Sequence, residues 1–408
     1  MVPFLRRSVT AGVVRFLLVY SNYFETVMRK IILSALFCLM LAPLISEAQK
    51  NKVRVALFAG HGGAETCVME TEAALKMDPA LEVRKVWSKE IASGSLDDTD
   101  VLVFPGGGGS TEYLNLGGLN AERVKAFVRN GGGVVGICAG AYLLSDTPDY
   151  ACLALSSGTA TDIEHDHRGR GIAKATLTES GKALFPEIAY LDTLFVMYYE
   201  GPVIVPSETP GMKPYTTLAV MESDVAVEED VPGGVTAGKP FLYANDYGKG
   251  KVMAVIGHPE ATPGMQWMVA RMVHAVSPNM VPSRLPDKFV KPNLFGKEIL
   301  MDKARRDFED GAYETLLYGK EDEVVAALDS LMALNSWSAK RWIQGLLYHP
   351  SAKVRARTAE LMGERLFKMY ERDLRAALKS EKDAGVRQAL FKAIMSLSTR
   401  QKPAGRRR

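Results

Sequence analysis

The glycine-rich segment 131–144, Gly-Gly-Gly-Val-Val-Gly-Ile-Cys-Ala-Gly-Ala-Tyr-Leu-Leu, constrains the fold of this 408-residue chain most strongly. Its β-branched run predicts a buried strand, and the helix formers that follow predict a helix. Glycines two residues before and after Cys138 allow a sharp, closely packed turn between the two. Such an elbow would set Cys138 at the helix N-terminus, where unpaired N–H groups favour a thiolate. The segment therefore predicts a cysteine nucleophile in an α/β fold.

A second motif follows a predicted buried strand at Lys251–Ile256, which runs directly into Gly-His-Pro-Glu at 257–260. Residues i and i+2 of an extended segment point to the same side, so His258 and Glu260 can lie together. With Cys138 as nucleophile, His258 as base and Glu260 as the group that orients the imidazole, the residues fit a catalytic triad. A simple polar turn after the strand is the alternative interpretation.

A third motif is the glycine loop 105–109, which follows the strand predicted over Val101–Phe104. Four consecutive glycines exceed what a tight turn needs, and their backbone N–H groups could face an oxyanion. Gly106 and Gly107 are candidates for one donor, and Ala139, the residue after the nucleophile, for the second. Because no Gly-Lys-Ser or Gly-Lys-Thr follows, the loop is not expected to bind phosphate.

Strands and helices alternate along the first part of the chain, which predicts a mostly parallel sheet covered by helices on both faces. Binding sites in such sheets lie beyond the carboxyl ends of the strands. Residues 152–245 break the alternation and predict an antiparallel excursion with substrate-facing loops. The predicted strands are 53–58, 81–86, 101–104, 134–137, 172–176, 194–199, 217–221, 240–245 and 251–256, and the predicted helices are 65–76, about 120–129 and 262–276.

Several further side chains are candidates for substrate contacts. His61 lies in a glycine-rich loop after the first predicted strand, where a solvated histidine is the alternative. The other four candidates are Glu112, Tyr142, Tyr199 and Glu200. His-Asp-His at 165–167 has the side chains of metal ligands, but arginines at 168 and 170 favour a charged loop, so we predict no metal site.

The order of these motifs resembles the class I glutamine amidotransferase-like superfamily. The version Gly-Ile-Cys-Ala-Gly-Ala-Tyr at 136–142, with Tyr-Tyr-Glu-Gly-Pro at 198–202, is most similar to the biotin-protein ligase N-terminal domain family. The resemblance covers roughly residues 52–280. It implies a flavodoxin-like α/β fold and triad roles for Cys138, His258 and Glu260.

One position departs from the amidotransferase pattern. Amidotransferases usually carry a glutamine four residues after the cysteine, where it helps bind glutamine, and this chain has Tyr142 there. The departure argues against free glutamine as the substrate and leaves thiol chemistry in place. Within the 408 residues we recognise neither a synthetase domain that would receive ammonia nor a biotin-protein ligase domain.

The N-terminal segment has the pattern of a secretion signal. A basic Met-Arg-Lys at 28–30 precedes an apolar run at 31–45, and Ser-Glu-Ala at 46–48 supplies small residues for cleavage. The apolar run is too short to span a bilayer comfortably. We predict a signal peptide over 1–48, with translation starting at Met28, and a periplasmic or secreted protein with no stable membrane span after cleavage.

The net charge limits the kinds of partner that are expected, and the cysteines limit the possible disulfides. Loss of residues 1–48 would take the formal charge from +3 to zero. A neutral protein lacks the positive field that attracts nucleic acid, so no such partner is expected, and the basic tail 401–408 is interpreted as a solvated terminus. Cys67 either pairs with Cys152, which would leave Cys138 free, or both stay free thiols.

The C-terminal part changes in composition. Residues 281–299 are rich in proline and predict a linker, and residues 300–400 predict a helical domain. Val354-Arg355 and Val386-Arg387 open similar segments 32 residues apart, which resemble HEAT-type repeats. A plain helical bundle is the alternative. We expect this part to contact a partner protein or to cover the catalytic part.

Together these motifs predict an exported thiol hydrolase that cleaves an amide, or an ester, in a small-molecule or peptide substrate without a cofactor. The alternative is a non-catalytic protein whose amidotransferase-like pocket holds a small ligand while its helical repeats contact a partner, because a fold can keep the shape of a site without its chemistry.

Overall fold

The computed structural model describes residues 52–210 and 212–399. The predicted signal peptide at 1–48 and the basic tail at 401–408 lie outside the described residues. Within the described ranges, no helix has the length and apolar character needed to cross a membrane.

The described chain contains twelve strands and thirteen α-helices. The strands are β1 (Val53–Phe58), β2 (Leu81–Val86), β3 (Val101–Phe104), β4 (Gly133–Ile137), β5 (Gly158–Thr161), β6 (Arg170–Leu177), β7 (Leu194–Tyr199), β8 (Val203–Pro206), β9 (Thr216–Met221), β10 (Pro240–Tyr247), β11 (Gly250–Val255) and β12 (Ile299–Leu300). The helices are α1 (Glu65–Leu75), α2 (Ser88–Ala92), α3 (Gly109–Leu116), α4 (Gly118–Arg129), α5 (Ala139–Leu144), α6 (Glu179–Leu184), α7 (Trp267–Val276), α8 (Lys303–Tyr318), α9 (Glu321–Ala333), α10 (Trp337–Trp342), α11 (Ala352–Glu364), α12 (Glu371–Ser380) and α13 (Ala384–Leu397).

The main sheet has a parallel half and an antiparallel half. Strands β2, β1, β3, β4 and β11 pair in parallel in that order. Strands β10, β9 and β6 continue the sheet in antiparallel fashion, and both β7 and β12 pair with β6. The chain therefore has the predicted α/β fold, a parallel-rich mixed sheet flanked by helices and followed by a helical part. Strands β5 and β8 form a separate two-stranded sheet.

Helices cover both faces of the parallel half. Val101 and Val103 of β3 join a buried cluster with residues of α7, whereas Leu102 and Phe104 join a second cluster with residues of α4. Alternate side chains of a strand point to opposite faces, so a strand covered on both faces is apolar throughout. This explains the unbroken apolar runs of β3 and β4.

The order of the strands positions the site. β4 lies between β3 and β11, and all three run in the same direction. The segments that follow their carboxyl ends are the glycine loop 105–109, Cys138 and Gly257–Glu260. Three motifs that are far apart in the sequence therefore meet at one edge of the sheet.

The helical part packs on the α/β part. Its buried core, which includes Leu328, Leu331 and Leu390, also contains Met77 and Phe289. Residues 281–299, predicted as a linker, contribute the buried side chains of Phe289 and Phe295 and lead into β12. The described residues from Val53 onward belong to one compact unit, and the sequence-based domain boundaries stay predictions.

The two similar C-terminal segments begin in the same way. Ser351 caps α11 by accepting the N–H of Val354, and Asp383 caps α13 by accepting the N–H of Val386. Both valines are buried, and the two helices pack against each other. The assignment to HEAT-type repeats stays a prediction.

The largest differences from the expected helices occur at α3 and α7. Helix α3 begins directly at Gly109, where we predicted a loop. Helix α7 begins at Trp267, because residues 259–261 form a single 3₁₀ turn before it. Thr262 ends that turn, and its hydroxyl donates to the His258 carbonyl at 2.7 Å.

Candidate functional site

Cys138 lies at the sharp turn between β4 and α5, with φ of 50° and ψ of −103°. A positive φ is strained for a residue with a side chain and persists only where the surroundings hold it. Here the Cys138 N–H donates to the Val255 carbonyl of β11 at 2.8 Å. A Cβ at Gly140 would lie 2.4 Å from the Phe104 carbonyl oxygen, and a Cβ at Gly136 would lie 2.5 Å from that of Gly140. Both glycines are thus needed for the close approach of α5 to the sheet.

His258 and Glu260 form a buried pair at the end of β11. His258 Nδ1 lies 2.7 Å from Glu260 Oε1, and both side chains are at most 2 % exposed. The His258 N–H donates to the Met197 carbonyl at 2.6 Å, which fixes the backbone of the turn. A carboxylate at Nδ1 leaves Nε2 as the nitrogen that can exchange a proton with another group.

The charges around His258 favour its protonated form. Burial alone would lower the pKa of His258, but the negative charges of Cys138 and Glu260 outweigh burial and raise the pKa to about 10. In this structure the Cys138 thiol donates to the Tyr199 carbonyl, with 3.3 Å between Sγ and the oxygen. The arrangement can hold a thiolate next to an imidazolium once the thiol proton has moved.

Two backbone N–H groups beside Cys138 are free to bind a substrate. Gly107 and Ala139 both line the cavity that contains the thiol. Within residues 52–210 and 212–399, neither N–H donates to another protein group. Gly106, the other candidate donor, does not line the cavity; a Cβ there would lie 2.7 Å from His258 Cε1 and 3.0 Å from Cys67 Sγ. The absence of a side chain at Gly106 makes room for the imidazole.

The cavity has a volume of about 480 Å³. This is large enough for more than a single amino acid, since small-molecule sites span about 300–1,000 Å³. Of the predicted substrate-contacting residues, Tyr142, Tyr199 and Glu200 line it. The cavity is also lined by Thr66, Cys67, Ser110, Tyr150, Asp166, His167, Arg170, Trp337, Ser338 and Arg341.

Two predicted substrate-contacting residues lie elsewhere. His61 is exposed and outside the cavity lining. Glu112 is fully buried on α3, and neither carboxylate oxygen has a hydrogen-bond partner among the described residues. Burial raises the pKa of Glu112 well above its usual range, so this carboxyl is held in the neutral form. Its role in substrate binding stays a prediction.

Helix α10 contributes part of the cavity wall; the sequence analysis expected the helical part to contact a partner or to cover the catalytic part, and it named none of these residues. Trp337, Ser338 and Arg341 of this helix line the cavity together with Cys138. The ring of Trp337 packs at 76° against that of Tyr199, with the centroids 5.4 Å apart. No local pattern connects residues 337–341 with the motifs at 138 and 258, so the sequence does not show which helix of this part lies at the site.

Buried polar contacts hold α10 in place. Lys340 Nζ lies 3.1 Å from Glu70 Oε1 of α1 and donates to the Ala261 carbonyl at 2.7 Å. The Trp337 indole N–H donates to the other Glu70 oxygen at 2.8 Å. Lys340 and Glu70 are at most 3 % exposed. Removing one partner of a buried pair is costly, so the pair ties the helical part firmly to the site.

The three described cysteines are free thiols. Cys67 and Cys152 were a candidate disulfide, and this structure contains the alternative, two separate thiols. The Cys152 thiol donates to the Thr147 carbonyl at 3.6 Å. Cys67 lies on α1, is buried, and lines the cavity beside His258. A second sulfur is therefore present at the site.

The loop at 162–170 contributes charged side chains to the cavity rim. His165 Nδ1 lies 2.5 Å from Asp162 Oδ1, and His167 Nδ1 lies 3.1 Å from Glu200 Oε2. Arg170 forms an ion pair with the buried Glu309 of α8 at 3.0 Å. Both histidines are thus paired with carboxylates, and the interpretation of this segment as a charged loop stays a prediction.

Solved structures of other proteins are similar to this chain at low sequence identity. A cytoplasmic protein from Salmonella typhimurium LT2 is 15% identical, with 55% of this chain and 100% of that chain covered and a TM-score of 0.36. The glutaminase domain of Trypanosoma brucei CTPS with bound acivicin is 14% identical, with 54% and 91% covered and a TM-score of 0.34. A β-galactosidase from Bacillus circulans sp. alkalophilus is 14% identical, with 55% and 32% covered and a TM-score of 0.33.

The family model described as biotin-protein ligase, N terminal, matches residues 53–285. The match includes the glycine loop, the Cys138 elbow and the His258–Glu260 pair. It confirms the resemblance to this family that was inferred from the sequence motifs. It ends before β12 and the helical part, so α10 and its contribution to the cavity lie outside it. The chain belongs to the biotin-protein ligase N-terminal domain family.

Proposed function

We propose that this protein is an exported cysteine hydrolase that cleaves an amide or ester bond. The observation that carries the proposal is the grouping at one sheet edge of the strained Cys138, the buried His258–Glu260 pair and the free N–H groups of Gly107 and Ala139. These groups have the chemistry of a nucleophile, a base, an orienting acid and an oxyanion site. The proposed export rests on the signal peptide predicted from the sequence.

In the acylation step, the Cys138 thiolate forms a bond to the substrate carbonyl carbon, and the carbonyl electron pair moves onto oxygen. The N–H groups of Gly107 and Ala139 bind this oxyanion. The His258 imidazolium gives its proton to the leaving nitrogen or oxygen, the bond from carbon to that atom breaks, and an amine or alcohol leaves. Glu260 keeps the imidazole oriented throughout.

In the second step, the neutral His258 takes a proton from water while the water oxygen adds to the thioester carbon. Collapse of this adduct breaks the bond from carbon to sulfur and releases a carboxylic acid. The Cys138 thiolate and the His258 imidazolium are restored. Because protein groups supply the nucleophile, the proton transfers and the oxyanion donors, the cycle needs no cofactor.

The cavity wall supports an anionic group on the substrate. Arg170 is already neutralised by Glu309, whereas Arg341 has only the Thr66 hydroxyl, which accepts from Arg341 Nε at 2.6 Å. Among the described residues, no carboxylate lies within 4.0 Å of the Arg341 guanidinium. A guanidinium held through Nε presents its terminal nitrogens as a fork that matches a carboxylate. We therefore propose an amide or ester whose remaining part carries a carboxylate near Arg341.

One observation favours a second candidate function, a non-catalytic protein that binds a small ligand. The Cys138 thiol donates to the Tyr199 carbonyl, with 3.3 Å between Sγ and the oxygen. This hydrogen bond must break before Cys138 can act as a nucleophile.

Labelling with iodoacetamide near neutral pH distinguishes the two candidates. In the hydrolase, Cys138 is alkylated faster than the more accessible Cys152, and Glu260→Gln slows only the Cys138 reaction. Peptide mass spectrometry assigns each label, and Cys138→Ser and Cys152→Ser provide matched controls. Alkylation of Cys138 at or below the Cys152 rate would favour the binding protein. Hydrolysis that survives Cys138→Ser would refute the assignment of the nucleophile.

A further inference from the structure

The mechanism leaves Cys67 unused, although this thiol lies at the site. Cys67 Sγ, a ring nitrogen of His258 and a carboxylate oxygen of Glu260 all lie within 4.8 Å of one another. All three side chains are buried, and Cys67 and His258 also line the cavity. Thiolate, imidazole and carboxylate are the three side-chain ligands that zinc takes in proteins.

Glu260 has an oxygen with no partner. Its Oε1 pairs with His258 Nδ1, but Oε2 is buried and has no hydrogen-bond partner among the described residues. A buried carboxylate oxygen without a partner is costly, so such an oxygen points to a missing ligand.

We propose that Cys67, His258 and Glu260 form a binding site for a zinc-like divalent cation. A site with sulfur, nitrogen and oxygen ligands selects zinc over magnesium or calcium, which prefer oxygen alone. Three protein ligands leave one position of a tetrahedron open, and the cavity lined by Cys67 and His258 supplies the path for the ion.

Binding of the cation opposes the proposed hydrolysis, so this consequence rests on the proposed function. The metal forms bonds to the Cys67 sulfur and to a ring nitrogen of His258, and the thiol proton and the imidazolium proton that these bonds replace both pass to solvent. An imidazole whose lone pair is bound to metal cannot take a proton from Cys138 or from water. Zinc therefore inhibits the proposed hydrolysis by binding to His258, the proposed base. Cys138 is not needed as a zinc ligand.

The test measures binding directly. The full chain is freed of metal with a chelator and titrated with Zn²⁺ in competition with a chromogenic chelator. We expect one tight zinc per chain in the wild type, in Cys138→Ser and in Cys152→Ser, and binding at least about tenfold weaker in Cys67→Ser. Equal affinity of Cys67→Ser and the wild type would overturn the proposal, and so would loss of binding in Cys138→Ser.

Two more variants make the zinc titration specific to this site. Asp162, Glu164 and His165 form the other group of potential ligands among the described residues, so His165→Gln is a matched control that should keep the tight zinc. If Cys67→Ser does not fold, as judged by circular dichroism, Glu260→Gln replaces it and should weaken binding in the same way. Unchanged zinc affinity in Glu260→Gln would count against the site.

Cobalt gives a second readout that does not depend on turnover. Co²⁺ bound at this site should show a thiolate-to-cobalt absorption band that is lost in Cys67→Ser and kept in Cys138→Ser. Where hydrolysis is measurable, zinc should inhibit the wild type, and Cys67→Ser should resist inhibition. A protein that binds zinc through Cys67 but hydrolyses nothing would overturn the proposed function alone, so the two failures are distinguishable.

Discussion

The indole of Trp337 packs against the imidazole of His258, with ring centroids 4.7 Å apart and planes inclined at 64°. Trp337 belongs to the helical part of the chain, whereas His258 follows the last strand of the parallel half. The indole N–H donates to Glu70 at 2.8 Å, which restrains the orientation of the ring. The C-terminal helices therefore form part of the cavity wall around Cys138 and contact the imidazole of His258.

Replacement of Trp337 tests whether this contact positions the imidazole. Trp337→Ala should lower kcat by about tenfold to a hundredfold with a smaller change in KM, because a freed imidazole loses its alignment with the sulfur. Trp337→Phe keeps an aromatic ring against His258 and should restore most of kcat. Steady-state kinetics measure both variants, with thermal unfolding as the check on the fold. Equal losses in kcat for Ala and Phe would contradict a role for the ring itself.

The alkaline limit of activity should depend on Glu260. The Cys138 and Glu260 charges outweigh burial and raise the pKa of His258 to about 10. The proton-donating imidazolium is then present at neutral pH and is lost as pH rises through about 10. Glu260→Gln removes one of the two charges, so the alkaline limb of kcat/KM should move to lower pH by about 1–3 units. A limb that does not move would refute the coupling, and Glu364→Gln, at the surface of the helical part, is the matched control.

Selectivity for anionic substrates should depend on Arg341. Loss of a charged hydrogen bond is worth about 1.5–3 kcal/mol, so Arg341→Gln should raise KM at least about tenfold for substrates that carry a carboxylate. Substrates that are neutral at the same position should be unaffected. Competition between matched charged and neutral amides measures the difference, and Arg305→Gln on α8 controls for the loss of a surface charge. An equal effect on both substrates would contradict the anchoring role.

The buried carboxyl of Glu112 should make stability depend on pH. Its pKa is raised by burial well above 4.5, so the folded state keeps a proton that the unfolded state releases. Stability then falls as pH rises above about 4.5, until the folded carboxyl itself ionises. Glu112→Gln removes this loss, and its advantage over the wild type should grow by up to about 1.4 kcal/mol per pH unit. Urea unfolding at several pH values measures the difference, and a constant difference would contradict a neutral Glu112.

Much of the α/β part could be predicted because its signals are local. The strands Val53–Phe58, Leu81–Val86, Val101–Phe104 and Leu194–Tyr199 have the bounds expected from the sequence. The spacing of apolar residues and the glycine-rich turns indicate where strands and helices lie, without information about residues that are distant in the chain. The end of α7 was also expected, but its start was not, because the turn at 259–261 depends on contacts of Thr262 with β7.

By itself, the sequence determined the elbow at Cys138, the pairing of His258 with Glu260 and the parallel-rich sheet, because each depends on residues a few positions apart. Only the tertiary structure decided that Cys67 lies beside the imidazole, that Trp337 and Arg341 line the same cavity, and that Glu112 is sealed away from it. These relations depend on how helices pack across distant parts of the chain. Packing is set by the summed fit of many side chains, and no short stretch of sequence records it.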